Sequence, residues 1–157
     1  MNHTEYIKAT EVDVDAVVEM RMLFSNEYAG VQSPEVESLL RRNLSEYFIK
    51  ELDRNYLCWF ATVGGEVASI AGMVIHINPG NVKNPSGIWG YIMNVYTLPK
   101  YRRIGLSRNI LERLIETAKD RGVTAFELHA TKVGEPVYVK AGFELFTEPT
   151  YRKYLVP

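Results

Sequence analysis

A strand, a tight turn and a helix follow one another without interruption past the middle of the sequence, and this unit limits the folds that the chain can adopt. The residues "IWGYIMNVYTL" have the apolar character of a long strand and lead into a turn. Ile104 to Arg121 then places apolar side chains at helical spacing until Gly122 ends the pattern, and "TAFELHA" has the composition of another strand. The second half of the chain therefore contains a strand-helix-strand unit.

The first half predicts a short strand at Tyr6 to Ala9, two helices and a hairpin within residues 56–77. Four local signals mark where these elements begin and end: a capping box at Thr10 and Asp13, a stop at Gly30, a helix start at Ser33-Pro34 and a turn at Gly64-Gly65. The spacing of apolar residues thus changes from a helical period to a strand period along this half of the chain. The sequence contains no internal repeat and no low-complexity tract.

The end of the chain predicts a short helix in "GEPVYVKAG", beginning near Pro136, and two closing strands, "FELF" and "YRKYLV". We therefore expect an α+β fold in one domain spanning residues 1–157. Its sheet should be mixed, mainly antiparallel, with about six to seven strands flanked by about four helices.

Composition excludes several classes of protein. With 157 residues, 46% hydrophobic and 24% charged, the chain suits one compact domain, and a net charge of -1 argues against a protein that coats nucleic acid or anionic membrane. No apolar stretch reaches roughly 18 residues and no signal-peptide core precedes the first strand, so we expect a cytoplasmic protein outside the membrane. Cys58 is the only cysteine and lies in the run "YLCWFATV", which predicts a small buried residue and no disulfide or cysteine-based metal cluster.

The turn "KYRRIG" joins a strand to a helix and carries an unusual density of positive charge. Free N–H groups and the positive end of the dipole make a helix start an anion site, and Gly105 would let an anion approach the backbone closely. Lys100, Arg102, Arg103 and Arg108 surround the turn. A solvated basic helix entry explains these residues equally well. A single glycine meets neither the P-loop nor the dinucleotide fingerprint.

The segment "YIMNVYTLPKYRRIGLSRNIL" resembles the central motif of the GNAT superfamily of acyl-CoA-dependent N-acetyltransferases. In that motif a strand leads to Arg/Gln-x-x-Gly-x-Gly/Ala at a helix start. Arg102, Gly105 and Ser107 occupy the motif positions, with Ser107 replacing the usual Gly or Ala. A second segment, "ELHATKVGEPVYVKAGFELF", resembles the family's later ending, Tyr-x-x-x-Gly-Phe, here Tyr138 to Phe143. The element order from residue 6 to 156 matches the family's fold.

The resemblance implies direct transfer of an acetyl group from acetyl-CoA, the cosubstrate, to a primary amine, with no metal. It implies that Tyr138 protonates the leaving thiolate and that the N–H of Val95 stabilises the oxyanion. It assigns the pantetheine arm and the pyrophosphate to Val95, Tyr96, Thr97, Arg102, Arg103, Ile104, Gly105, Leu106, Ser107, Arg108 and Thr131. A tyrosine that only packs on a short helix is the alternative interpretation of Tyr138.

The general base stays unassigned. The two strand positions at which relatives often carry a glutamate are Tyr91 and Phe126 here, and neither is a carboxylate. Glu127 points to the opposite strand face because side chains alternate, and His129 shares that face. A relay through water and an amine that arrives neutral also remain open.

The acceptor is a small-molecule or peptide amine of unknown identity. In the GNAT fold the first two helices usually line the acceptor side, and here they offer Glu27, Tyr28, Glu35 and Glu37. These carboxylates would attract a cationic amine, or they form a solvated acidic face.

Two other functions are compatible with the residues. A domain that binds acyl-CoA without catalysing transfer would explain the missing carboxylates at the usual base positions. The cluster "KYRR" with its nearby tyrosines could contact nucleic acid, but the charge is confined to one turn and we expect no nucleic-acid partner. Members of this family are often dimers, and the tail "EPTYRKYLVP" would suit either a homodimer interface or the sheet of a monomer.

Overall fold

The computed structural model describes residues 3–155. In chain order the strands and helices are β1 (Thr4–Lys8), α1 (Val14–Ala29), α2 (Pro34–Glu51), β2 (Tyr56–Val63), β3 (Glu66–Ile77), β4 (Ile88–Thr97), α3 (Leu106–Asp120), β5 (Ala125–Leu128) and α4 (Glu135–Lys140). Short 3-10 turns at Glu11–Asp13 and Pro99–Tyr101 lie before α1 and α3. In this part of the chain no helix combines the length and the apolar character that a membrane crossing needs.

One sheet runs through the molecule with the strands in sequence order. Its first four strands pair antiparallel, and β5 pairs with β4 in parallel after the crossover through α3. Residues 3–155 therefore form an α+β fold with a mixed, mainly antiparallel sheet and four α-helices, as the sequence predicts.

The number of strands is lower than predicted. Five strands form within residues 3–155, while "FELF" and Tyr151–Leu155 form none and stand largely in solvent, with Leu145 and Leu155 more than four-fifths exposed. Val156, the last residue of the second predicted strand, lies outside the described residues. An apolar segment forms a strand only where a neighbouring strand offers backbone groups for hydrogen bonding. The available edge strand, β5, has only 4 residues.

The sheet separates two apolar cores. On one face, side chains such as Val17 and Met22 of α1 are buried together with Cys58 of β2, the buried cysteine that the sequence predicts. On the other face, Ile110 and Leu114 of α3 are fully buried against β2, β3 and β4. The apolar stripe of α3 therefore fixes this helix, and with it the turn that precedes it, against the sheet.

Local start signals act where the sequence places them. The Asp13 carboxylate accepts a hydrogen bond from the backbone N–H of Thr10 at 2.8 Å, and the Ser33 hydroxyl accepts one from the first turn of α2 at 3.4 Å. Gly65 in the β2–β3 turn has φ +84°, a left-handed conformation that glycine adopts without strain. These local features mark the start of the 3-10 turn before α1, the start of α2 and the turn of the hairpin.

Strand β4 changes its pairing along its length. It pairs with β5 only from Trp89 to Ile92, whereas its pairing with β3 continues to Thr97. The β3–β4 register shifts within this second half, where Asn94 has φ +58°. From residue 93 to residue 97, β4 therefore has a strand on one side only. This open edge of β4 leads directly toward the start of α3.

Candidate active site

The open edge of β4 presents free backbone groups. The N–H of Leu98 donates to the carbonyl of Ala68 on β3 at 2.9 Å, so the backbone of Leu98 faces β3. Because hydrogen-bonding directions alternate along a strand, the backbone groups of Val95 and Thr97 face the side that β5 leaves open. The Thr97 carbonyl accepts a hydrogen bond from Arg102 there, at 2.9 Å, whereas the Val95 groups and the Thr97 N–H stay available to a ligand. A ligand with amide groups can add to such an edge as a further strand would.

The start of α3 presents a second set of free backbone groups. The first helical hydrogen bond runs from the N–H of Asn109 to the carbonyl of Gly105 at 3.2 Å. The N–H groups of Leu106, Ser107 and Arg108 precede that bond, so they have no acceptor within the helix, and no side chain caps them. The helix has 15 residues, and its dipole places partial positive charge at these groups.

The backbone of this turn leaves room for an anion. Gly105 has φ +85°, and a Cβ placed on it would meet only the Asn109 side chain, at 3.8 Å. Leu106 is 4% exposed and anchors the first turn of α3 in the core, while Ile104 is 61% exposed. The residues at the turn thus fit a diphosphate, which would accept hydrogen bonds from the free N–H groups.

Arg102 points away from this turn. Its guanidinium donates to both carboxylate oxygens of Glu27 at 2.7 Å and to the carbonyl of Thr97 at 2.9 Å. The Tyr96 hydroxyl donates to the same carboxylate at 2.8 Å. Hydrogen bonds from Arg102 and Tyr96 hold the pKa of the Glu27 carboxyl below its usual value. This network links α1 to the end of β4, and it engages a carboxylate that the sequence suggested for the acceptor.

The remaining basic residues of the turn differ in their partners. Lys100 pairs with Glu66 at 2.6 Å, and Arg108 pairs with Glu112 one helical turn further on at 2.9 Å. Among residues 3–155, Arg103 makes no salt bridge with a carboxylate. Its φ of +67° is unusual for a residue with a side chain. Arg103 is therefore the arginine of this turn whose charge stays available to a ligand.

Tyr138 lies on α4 and packs on the same core as α3. Its ring meets Phe143 edge-on, with 6.2 Å between ring centroids. Burial raises the pKa of the Tyr138 hydroxyl, so the protonated form is favoured. Thr131 begins the preceding turn, where its hydroxyl accepts from the N–H of Gly134 at 3.1 Å. Thr131 therefore holds the turn that leads into the helix of Tyr138.

A cleft of about 520 Å³ lies beside these elements, between α1 and the ends of β4 and β5. Its lining residues include Tyr91, Asn94, His129 and Thr131. The Tyr91 hydroxyl and His129 Nδ1 are hydrogen-bonded at 2.8 Å, which joins the end of β5 to β4 next to the point where the two strands part. An imidazole therefore lines the cleft at one of the positions weighed for the base.

Asn94 is a polar residue that the sequence interpretation missed. It is 4% exposed, and neither polar atom of its amide has a hydrogen-bond partner. The neighbouring Tyr56 hydroxyl also lacks a hydrogen-bond partner, and burial raises its pKa. A buried amide without a partner costs about 1–3 kcal/mol, so Asn94 is an energetically unfavourable group in the wall of the cleft. The sequence signal that could have identified this residue is a polar Asn among the mostly apolar residues of β4.

Similarity to known proteins shows which family the chain belongs to. A model of the acetyltransferase (GNAT) family matches residues 18–143. The chain belongs to the GNAT acetyltransferase family. No curated protein is significantly similar to it in sequence.

Solved GNAT-like structures resemble the chain over nearly its whole length. A predicted acetyltransferase from Clostridium acetobutylicum with acetyl-CoA has 28% sequence identity, coverage of 96% of both chains and a TM-score of 0.82. A GCN5-related N-acetyltransferase from Ralstonia eutropha JMP134 has 24% identity, coverage of 96% of this chain and 99% of that one, and a TM-score of 0.82. Glucosamine-6-phosphate N-acetyltransferase from Arabidopsis thaliana shares the fold at 16% identity, coverage of 97% and 99%, and a TM-score of 0.69.

Within this GNAT fold, the predicted site residues fall into two groups. Val95 and Thr97 on the strand edge and the residues at the start of α3 present backbone groups along one path. The side chains of Tyr96 and Arg102 point instead into the network with Glu27. The Tyr96 carbonyl accepts a hydrogen bond from the Ser69 hydroxyl on β3 at 3.1 Å, so the Tyr96 backbone also faces away from the open edge. The cleft around His129 is lined by residues of α1, of β4 and of the segment that follows β5, which only the folded chain places side by side.

Proposed function

We propose that this GNAT-family protein is an N-acetyltransferase that moves an acetyl group from acetyl-CoA to a primary amine held beside it. One observation carries the proposal: free backbone groups continue from the open edge of β4 to the uncapped start of α3. An amide-bearing arm followed by a diphosphate, the two parts of coenzyme A, complements this order of groups.

Binding of the cosubstrate would rest on backbone groups more than on side chains. The N–H and C=O of Val95 and the N–H of Thr97 would pair with the pantetheine amides, and the N–H groups of Leu106, Ser107 and Arg108 would hold the diphosphate. Arg103 would add charge at the turn, because it makes no salt bridge with a carboxylate within residues 3–155. Thr131 would act indirectly, by fixing the turn before α4.

Acetyl-CoA supplies a thioester whose carbonyl carbon a neutral amine attacks, so that a C–N bond forms and the C–S bond breaks. The N–H of Val95 would donate to the carbonyl oxygen as negative charge develops there. Tyr138 would donate its hydroxyl proton to the departing sulfur, and the proton that the attacking nitrogen loses would restore the tyrosine through water. Burial raises the pKa of Tyr138, which keeps the donor protonated at neutral pH, and the proton would move as the C–S bond breaks.

A second function, acyl-CoA binding without transfer, is favoured by one observation. Tyr91 and Phe126 occupy the strand positions where a carboxylate base is common in the family, and neither can replace that carboxylate. The imidazole of His129, hydrogen-bonded to Tyr91, argues against this alternative because it offers a proton acceptor in the same cleft.

Two measurements distinguish the functions. Calorimetric titration of the purified protein with acetyl-CoA at moderate salt should give saturable one-to-one binding. Release of coenzyme A, followed with a thiol reagent, should then depend on an added amine from a broad panel. Buried Cys58 should contribute little to the thiol signal. Binding with no amine-dependent release would favour the second function, and no binding at all would overturn both.

A further inference from the structure

The cleft beside the proposed acetyl site is lined by positive charge. Arg21 of α1, Lys132 after β5 and Arg152 of the C-terminal segment all line it, and among the described lining residues none is Asp or Glu. None of the three cations forms a salt bridge with a carboxylate within residues 3–155. Positive groups that converge on one cleft without a counter-charge raise the local concentration of anions.

The acidic residues expected on the acceptor side do not offset this charge. The Glu27 carboxylate accepts hydrogen bonds from Arg102 and Tyr96 and does not line the cleft. Glu35 and Glu37 lie in the first turn of α2, where they interact favourably with the helix dipole, and they are not lining residues either. The cleft is therefore unsuited to an acceptor that carries a second positive charge.

The rest of the lining would hold an apolar or aromatic body. Phe24 and Tyr28 of α1 are stacked with 6.0 Å between ring centroids, and Met93 and Ala130 contribute on the β4–β5 side. The Arg21 guanidinium lies 5.5 Å from the centre of the Phe24 ring, so a positive charge stands next to the aromatic wall. A ligand with an apolar body and an anionic group matches both properties.

We propose that the acceptor is a primary amine that also carries a carboxylate or a phosphate, recognised by Arg21, Lys132 and Arg152. This inference rests on the proposed acetyl transfer. The cations would attract the anionic group, and they would also disfavour an ammonium in the cleft, so that the amine arrives neutral and able to attack.

Matched acceptors test the class directly. Phenylalanine and phenylethylamine differ by a carboxylate, and glucosamine 6-phosphate and glucosamine differ by a phosphate. We expect kcat/KM to be at least about tenfold higher for the member that carries the carboxylate or phosphate, in a pair that the cleft accepts. This preference should shrink at high salt, because ions screen the attraction. Equal or better turnover of the member without the acidic group in both pairs would overturn the inference.

Variants locate the preference in the cleft. Arg21→Gln, Lys132→Gln and Arg152→Gln should each lower kcat/KM severalfold for the amine that carries the acidic group and leave the amine without it almost unchanged. Arg42→Gln is the matched control, because Arg42 is an exposed arginine of α2 outside the cleft lining. An equal loss in the control would mean that overall charge, and not this cleft, selects the acceptor.

A binding measurement separates failure of the inference from failure of the proposed function. Each pair is titrated calorimetrically into the protein with and without coenzyme A. Tighter binding of the member with the carboxylate or phosphate, lost in Arg21→Gln, would support the acceptor class even if no amine were acetylated. Turnover confined to amines without an acidic group would support acetyl transfer and refute the class. Equal binding of both members would also refute the class.

Discussion

Gly105→Ala tests whether the turn before α3 holds the diphosphate. Gly105 has φ +85°, and Gly122, just past the other end of the same helix, has φ +82°. A Cβ at either position meets only one side-chain atom, at 3.8 Å and 3.7 Å respectively, which is ordinary van der Waals contact. The two substitutions therefore impose the same backbone strain, and only the first lies where an anion would bind.

The magnitude follows from the backbone conformation. A residue with a side chain in the left-handed region costs about 1–2 kcal/mol. The reduced freedom of the unfolded chain returns about 0.4–1 kcal/mol of this. Both variants should therefore lose about 1 kcal/mol of unfolding free energy, or about 2–4 °C in Tm for a domain of this size. At Gly105 the added methyl group would also hinder charge-assisted hydrogen bonds worth about 1.5–3 kcal/mol, and acetyl-CoA should bind about tenfold or more weakly.

Thermal unfolding without ligand gives the stability change, and calorimetric titration with acetyl-CoA gives the affinity. We expect similar Tm losses in the two variants and weaker binding only in Gly105→Ala. Unchanged affinity in Gly105→Ala would remove the diphosphate from this turn. A much larger Tm loss at Gly105 than at Gly122 would refute the assumption that the two backbones carry equal strain.

Three further predictions concern single side chains. Tyr138→Phe should lower turnover while acetyl-CoA affinity stays nearly constant; unaltered turnover would remove Tyr138 from the chemistry. Glu27→Gln should destabilise the protein by roughly 0–1 kcal/mol because the pair with Arg102 is partly exposed. The pKa of Glu27 is lowered in the folded protein, so its contribution is present above the unfolded value of 4.5 and disappears as the pH falls through the folded value. Unfolding curves of both proteins should therefore converge in acid, and a gap that persists there would contradict the charge assignment. Cys58 is 1% exposed and burial raises the pKa of its thiol, so a thiol reagent should modify it only on unfolding; rapid labelling of native protein would contradict its burial.

The sequence predicted those elements whose signals are carried by neighbouring residues. The Thr10–Asp13 box, the Ser33 cap and the period of α3 each depend on residues within a few positions of one another, so their physics is local. The same holds for the turn at Gly105, where the helix start and the glycine are adjacent. The two predicted closing strands failed because a strand depends on a partner elsewhere in the chain. Residues 3–155 provide only the short edge of β5 near them.

The sequence by itself therefore determined the α+β class, the family motif and the helix start after Gly105, where we propose that a diphosphate binds. The tertiary structure decided which partners the charged side chains meet. Arg102 meets Glu27 from 75 positions away, which takes one arginine from the turn and one carboxylate from the acceptor side. Arg21, Lys132 and Arg152 come from three distant segments to line one cleft. No local pattern encodes such meetings, because they arise only when the packed sheet and helices bring remote side chains together.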